Sequence, residues 1–116
     1  MNTHITGADL LRILMASHRG RANGISGADL TLKAGLLSGQ DRVVRKLITQ
    51  LRLQGSAIMG TPDTGYFMAR TQGELHEFAK FHRSRALHEL TILSRVLKVS
   101  IPELAGQLSL VEGQTQ

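Results

Sequence analysis

The sequence predicts a mostly helical α+β fold, and three observations support this prediction. Apolar residues recur at helical spacing in several segments that turn-forming residues separate. Two short apolar runs, residues 57–59 and 66–68, enclose a stretch of glycine, proline and aspartate. The chain has 116 residues, of which 41% are hydrophobic and 20% are charged. These proportions are typical of a folded globular chain with a single core.

The first predicted helix covers residues 7–17. Thr6 is its expected N-cap, and Asp9 places a carboxylate in the first turn, where the helix dipole favours a negative charge. Residues 18–24 contain two glycines and an asparagine and therefore predict a polar, basic loop. We expect Ile25 to form a one-residue bridge or a very short strand.

The second predicted helix is short. Ser26 is its expected N-cap, and Gly35 is expected to end it in the left-handed conformation that glycine adopts easily. We expect Ala28, Leu30 and Leu32 to point toward the core.

The third predicted helix, residues 39–54, has two contrasting faces. Ser38 and Asp41 repeat the N-cap signature, and Gly55 closes the helix. At 100° per residue, one narrow stripe that must face the core contains Val44, Leu47, Ile48 and Leu51. The opposite face presents Arg42, Lys46 and Thr49, with Gly39, Arg45 and Gln50 at its flanks. A purely structural helix usually mixes charges on its solvent face, and this one does not.

Residues 60–65 have the composition of a turn, so they and the two apolar runs around them predict a β-hairpin. Thr71 and Glu74 then have the spacing of a capping box, which opens a long helix. Seven residues of this helix lie near one line: Leu75, Ala79, His82, Ala86, Leu90, Leu93 and Leu97. Unbroken to Val99, the helix would be ~40 Å long.

The C-terminal part is predicted to be helical as well. Ser100 and Pro102 indicate the start of a short helix that runs to about Leu108, and residues 113–116 are expected to be a frayed tail. We therefore expect residues 1–70 and a helical extension, residues 71–116, to form one compact unit.

Positive charge is concentrated in the first half of the chain. The net charge is +5, and residues 1–60 carry all of this surplus, with eight Lys and Arg against three Asp. A one-sided surplus of this kind favours an anionic partner, most often nucleic acid, although a basic surface also serves solubility. The few aromatic residues argue against modules that bind single strands by stacking.

Several function classes find no support in the sequence. The chain has no cysteine, no apolar run long enough for a membrane span and no export signal, so a cytoplasmic protein is expected. We find no phosphate-binding loop or nucleophile motif, and we expect no enzymatic activity and no cofactor. His76, His82 and His88 are six residues apart and thus on different helix faces, which disfavours a metal site.

The element order of helix, basic loop, helix, tight turn, basic helix and hairpin is that of a winged helix-turn-helix domain with a long C-terminal helix. The segments that carry the resemblance are GISGADL at residues 24–30, DRVVRKLI at 41–48, LRLQGSAI at 51–58 and GYF at 65–67. Together they resemble the winged helix-turn-helix domains of the biotin-repressor and DeoR-like class. Residues 66–75 and 84–86 also resemble small winged-helix proteins of bacterial prophages. The resemblance covers roughly residues 8–86.

The resemblance implies a regulator that binds double-stranded DNA, with the helix at 39–54 in the major groove. Donors suited to bases and phosphates are expected there at Arg42, Lys46, Arg45, Thr49, Gln40 and Gln50, with Arg19 and Arg21 near the phosphate backbone. The hairpin turn has no Arg or Lys, which argues against reading of the minor groove. Two alternatives stay open: an accessory of phage replication and a protein–protein adaptor.

The long helix is more apolar than one small domain requires. Phe78, Phe81, Ile92 and Val96 widen its apolar face to about half of the circumference. We expect this face to pair with the same helix of a second subunit in a homodimer. In the alternative, the helix folds back on its own domain, with a break near residues 83–85.

Overall fold

The computed structural model describes the backbone of residues 4–114 and the side chains of residues 4–107. Five helices and one hairpin follow in the order α1 Gly7–Ser17, α2 Gly27–Lys33, α3 Asp41–Leu53, β1 Ile58–Thr61, β2 Gly65–Met68, α4 Gln72–Leu97 and α5 Ile101–Gln114, with a short 3-10 turn at Arg21–Asn23 before α2. The predicted α+β, mostly helical class is therefore confirmed.

The chain divides into two compact units, which differ from the single unit and the boundary at residue 70 that the sequence led us to expect. One unit contains the residues through Phe78, and the other begins at Ala79. The division falls inside α4, so the first seven residues of this helix, about two turns, belong to the first unit and the rest belong to the second. None of the described helices is long and apolar enough to cross a membrane.

α1 has the bounds and the cap that the sequence predicts. The Asp9 amide donates to Thr6 Oγ1 at 3.2 Å, and the Asp9 carboxylate accepts from the Thr6 amide at 3.0 Å and from the Thr6 hydroxyl at 2.9 Å. The bond from the Thr6 backbone is the main cause that lowers the pKa of Asp9. The cap fixes the start of the helix, and Leu10 and Leu14, four residues apart on one face, are buried in the core.

In α2 the cap is as predicted, because the Asp29 amide donates to Ser26 Oγ at 3.0 Å. The inward face is not. Leu30 is buried, but Ala28 and Leu32 are exposed. Residues two apart lie about 200° apart on a helix, so these three side chains cannot share one face. Thr31 is buried instead, and its hydroxyl donates to the Gly27 carbonyl at 2.6 Å.

α3 begins at Asp41, two residues later than predicted, and Ser38 is not its cap. Gly39 adopts the left-handed φ of +91°, and this turn prevents the helix from starting earlier. The Gln40 side-chain oxygen accepts from the Leu37 amide at 2.8 Å and stabilises the turn. Gly55, with φ of +102°, ends α3 as predicted.

The core of the first unit lies among α1, α2, α3 and the hairpin. Its fully buried side chains include Leu10, Leu14, Leu30, Val44, Ile48, Ile58 and Phe67. The predicted stripe of α3 is confirmed, since Val44, Ile48 and Leu51 are buried and Leu47 is half-buried against them. The core therefore fixes the rotation of α3 and leaves its opposite face to the solvent.

β1 and β2 form an antiparallel pair in which Gly60 faces Tyr66, which confirms the predicted hairpin. Ile25 forms the expected one-residue bridge: its amide donates to the Tyr66 carbonyl at 2.9 Å, and the Tyr66 amide donates back at 2.7 Å. Gly24 lies so close to the hairpin that a Cβ there would be 1.8 Å from the Thr64 carbonyl oxygen.

α4 is continuous over 26 residues, about 39 Å, and shows no break at residues 83–85. Its capping box forms only in part. The Glu74 amide donates to Thr71 Oγ1 at 3.1 Å, but the Glu74 carboxylate accepts from the amides of Arg70 at 2.7 Å and Arg21 at 2.9 Å, not from Thr71. α5 continues past the predicted end near residue 108 to Gln114, and residues 115–116 of the expected tail lie outside the described residues.

Candidate nucleic-acid interface

The solvent face of α3 is the most cationic surface that the sequence singles out. Arg42 and Lys46 are exposed on it, opposite the buried Val44 and Ile48, and Arg45 is exposed at its flank. In the described part of the chain, none of these three cations has a carboxylate within ion-pair distance. Three unpaired positive charges on one rigid helix create a positive potential that a second anionic molecule can neutralise.

The polar neighbours of these cations contribute hydrogen-bonding groups. Gln50 is exposed. The Thr49 hydroxyl donates to the Arg45 carbonyl at 3.0 Å, which leaves its oxygen as an acceptor and its methyl group at the surface. Gln40 uses its carbonyl oxygen in the turn before α3, and its amide NH2 group keeps its capacity to donate.

Leu53 completes the same face and is a residue to which the sequence gave us no role. It follows Arg42 by three turns, about 20° around the helix, and 83% of its surface is exposed. An exposed leucine beside cations offers an apolar contact, such as the one that a thymine methyl group makes in the major groove. Its place on the helical wheel was the available signal.

Arg19 and Arg21 lie in the loop after α1 and not on α3. Arg19 is exposed and bridges to Met68, at the end of β2 that is remote from the hairpin turn. The Arg21 guanidinium donates to the Glu77 carboxylate, so its charge is already partly neutralised within the protein. Of the two predicted phosphate contacts, Arg19 is thus the more available one.

Arg70 joins Arg19 in lining a polar cavity of about 260 Å³ at the end of α1, together with Ser17 and Asn23. The Asn23 side-chain amide donates to the Arg19 carbonyl at 2.9 Å and holds this loop in place. The pairing of Arg19 with the end of β2 brings the two arginines close together. The local sequence around Arg70 therefore gave no indication that Arg19 lies near it.

A cleft of about 340 Å³ separates the first half of α3 from the hairpin. Its polar lining includes Asp41 and Arg45 from α3 and Ser26 from α2, and Tyr66 and Pro62 line the hairpin side. Asp41 is half-buried there. The cleft therefore borders the cationic face and combines one carboxylate, one guanidinium and an aromatic ring.

The hairpin turn adds no positive charge to the interface. The hydroxyls of Thr61 and Thr64 are 2.7 Å apart, and the Thr64 amide donates to Thr61 Oγ1 at 3.0 Å, so these groups satisfy each other. Asp63 is exposed at the turn. A carboxylate at this point repels phosphates.

Among the described residues, no three His, Asp or Glu side chains are grouped closely enough to hold a metal ion. Comparison of the chain with protein-family models, with curated proteins and with solved structures finds no match.

Proposed function

We propose that the first unit is a winged helix-turn-helix module that binds double-stranded DNA, with α3 in the major groove, and that the protein acts as a regulator of transcription. α3 packs against both α1 and α2, and a seven-residue connection, residues 34–40, joins α2 to α3. This is the arrangement in which helix-turn-helix proteins present their second helix to DNA. The hairpin that follows α3 occupies the place of the wing.

The observation that carries the proposal is the unpaired cationic face of α3. Arg42, Arg45 and Lys46 are exposed without carboxylate partners among the described residues, while the other side of the helix is fixed in the core. A rigid helix with such a face suits the two requirements of groove binding, which are attraction to the phosphates and hydrogen bonds to the bases. The cations release counterions from the phosphates, and the Arg side chains can donate two hydrogen bonds to guanine.

Binding of a labelled duplex at several salt concentrations tests the proposal. The double variant Arg42→Ala/Lys46→Ala should bind more weakly than the parent by about 1–3 kcal/mol for each residue that contacts a base. Each lost phosphate contact should reduce the slope of log K against log salt by ~0.9. Lys80→Ala/Arg83→Ala removes one exposed Lys and one exposed Arg from α4 and is the matched control.

One observation favours the adaptor alternative. Leu32 and Leu37 are exposed near the turn between α2 and α3, and Leu53 is exposed at the end of α3. Apolar groups at this density also suit a protein partner. The same titration separates the two functions, because an adaptor shows no duplex binding at low salt, either for the parent or for the Arg42→Ala/Lys46→Ala and Lys80→Ala/Arg83→Ala variants.

A further inference from the structure

We propose that α4 pairs with α4 of a second copy of this chain in an antiparallel direction, and that Arg85 and Glu89 set this direction. The proposal goes beyond DNA binding and does not depend on it. Three features of the second unit support it: an exposed apolar face on α4, a cavity in that face, and two opposite charges at its centre.

The apolar face of α4 is exposed to the solvent. Phe81 is 49% exposed, Ile92 46% and Val96 71%. An apolar cavity of about 250 Å³ lies along the C-terminal half of α4, lined by Glu89, Leu90, Ile92, Leu93 and Val96. Burial of such surface contributes roughly 25 cal/mol per Å², so association that covers this face is favourable.

The exposed residues form one stripe with coiled-coil spacing. At 100° per residue, an arc of about 80° contains Phe81, Arg85, Glu89, Ile92 and Val96. The last four follow one another at intervals of four, three and four residues, which is the a and d pattern of a heptad. The other cations of this part of α4, Lys80, Arg83 and Arg95, lie at least about 80° from Arg85.

Phe78, which the sequence also assigned to a dimer contact, has a different environment. It is half-buried in the first unit, and the Arg52 guanidinium lies 5.9 Å from the centre of its ring. The Arg85 guanidinium lies 5.7 Å from the Phe81 ring centre in the same way, which holds Arg85 on the exposed stripe. The proposed interface therefore starts at Phe81.

The charges at the centre of the stripe distinguish the two possible directions. In a parallel pair, residues of equal number face each other, so Arg85 would face arginine and Glu89 would face glutamate. Two like-charged contacts in the middle of an apolar seam are costly. In an antiparallel pair, Arg85 faces Glu89 of the partner subunit, and Glu89 faces Arg85 of the partner subunit, so both charges are paired.

The same register fits the apolar groups. When Arg85 lies level with Glu89 of the partner subunit, Phe81 lies level with Leu93 of the partner subunit, and two-fold symmetry repeats the contact at the other end. Phe81 thus lies level with the apolar cavity of the partner subunit. The charged layer therefore has an aromatic and aliphatic layer on each side that excludes water from it.

Charge variants of the full chain test the pairing by sedimentation equilibrium. Arg85→Glu alone and Glu89→Arg alone each place like charges opposite one another in the antiparallel pair, and each should raise the dimer dissociation constant about tenfold or more. The exchange of both charges in one chain, Arg85→Glu/Glu89→Arg, restores the two pairs and should return the constant to near the parent value. Arg85 and Glu89 are both exposed, and helical circular dichroism checks that each variant is folded. A parent that is monomeric at micromolar concentration, or a double variant as weak as the single ones, overturns the proposal.

Engineered cysteines test the direction, and the chain has no cysteine of its own. In the antiparallel register His82 lies level with Ile92 of the partner subunit, whereas the two Ile92 positions are about 15 Å apart along the helix, too far for a disulfide. A mixture of His82→Cys and Ile92→Cys chains should therefore form a mixed disulfide dimer, and Ile92→Cys alone should not. Crosslinking of Ile92→Cys with itself, or a dimer that forms no crosslink in either experiment, contradicts the proposed pairing. Arg42→Ala/Lys46→Ala should leave all of these results unchanged, so a failure of the DNA proposal is separately visible.

Discussion

Substitution of Gly24 by alanine should break the backbone pairing between the hairpin and the segment that precedes α2. Gly24 has φ of −60° and ψ of 153°, a conformation that alanine adopts without strain. The obstacle is contact alone, because the new Cβ would lie 1.8 Å from the Thr64 carbonyl oxygen. The Cβ position is fixed by the backbone of residue 24, and the carbonyl oxygen belongs to the backbone of Thr64. One of the two backbone segments must therefore move.

The cost follows from what the movement breaks. Ile25, the next residue, exchanges two backbone hydrogen bonds with Tyr66, of 2.9 and 2.7 Å. At about 0.5–1.5 kcal/mol each, their loss removes roughly 1–3 kcal/mol of stability. For a unit of this size, 1 kcal/mol corresponds to about 4–8 °C in Tm, so a decrease of ~8–16 °C is the central expectation.

Thermal unfolding followed by circular dichroism measures the decrease, and hydrogen exchange locates it at the amides of Ile25 and Tyr66. Gly106→Ala is the matched control, because nothing lies within 4 Å of the Cβ that it would add to α5. The control should melt at or slightly above the Tm of the parent, since alanine favours a helix over glycine. A Gly24→Ala protein with the melting temperature of the parent and protected amides would show that the hairpin is not held by this contact.

Two further predictions concern the same unit. Ile48→Ala, at a site that is 1% exposed, should cost about 2–5 kcal/mol in urea unfolding, whereas Leu53→Ala should cost less than ~0.5 kcal/mol; equal costs would mean that the phase of α3 is wrong. The amides of Arg70 and Arg21 lower the pKa of Glu74, so its contribution to stability is present above the pKa of an unfolded glutamate and is lost as the pH falls through the lowered value. Glu74→Gln should therefore lower Tm at pH 7 and lose less Tm than the parent between pH 7 and pH 3, and parallel curves for the two proteins would contradict this assignment.

The parts of the fold that the sequence predicts well are those that neighbouring residues determine. The Thr6 cap of α1 and the left-handed glycine that ends α3 depend only on residues within three or four positions. The residue types alone therefore predict them. The predicted inward face of α2 was wrong because it placed residues two apart on one side of a helix, where successive residues are separated by 100°. The predicted start of α3 was wrong because Gly39 favours a turn more strongly than Ser38 favours an N-cap.

The environment of the candidate site was less predictable, since residues distant in the chain determine it. The cationic side chains of α3 follow from the wheel alone. The pairing of Arg21 with Glu77 joins residues 56 positions apart, and no periodic pattern announces it. Arg70 and Arg19 line the same cavity because β2 pairs with the loop after α1. This pairing is not predictable from the sequence.

The distribution of charge supports a different proposed partner for each of the two exposed faces. The face of α3 carries Arg42, Arg45 and Lys46, and a second copy of it would bring six cations together, so it repels its own kind and attracts an anion. The stripe of α4 carries one cation and one anion, Arg85 and Glu89, and is neutral. A neutral face whose two charges pair only when the direction is reversed is suited to a copy of itself. The proposed self-association through α4 uses none of these three cations, so in the proposed DNA complex two linked faces bind one duplex with a higher effective concentration than either alone.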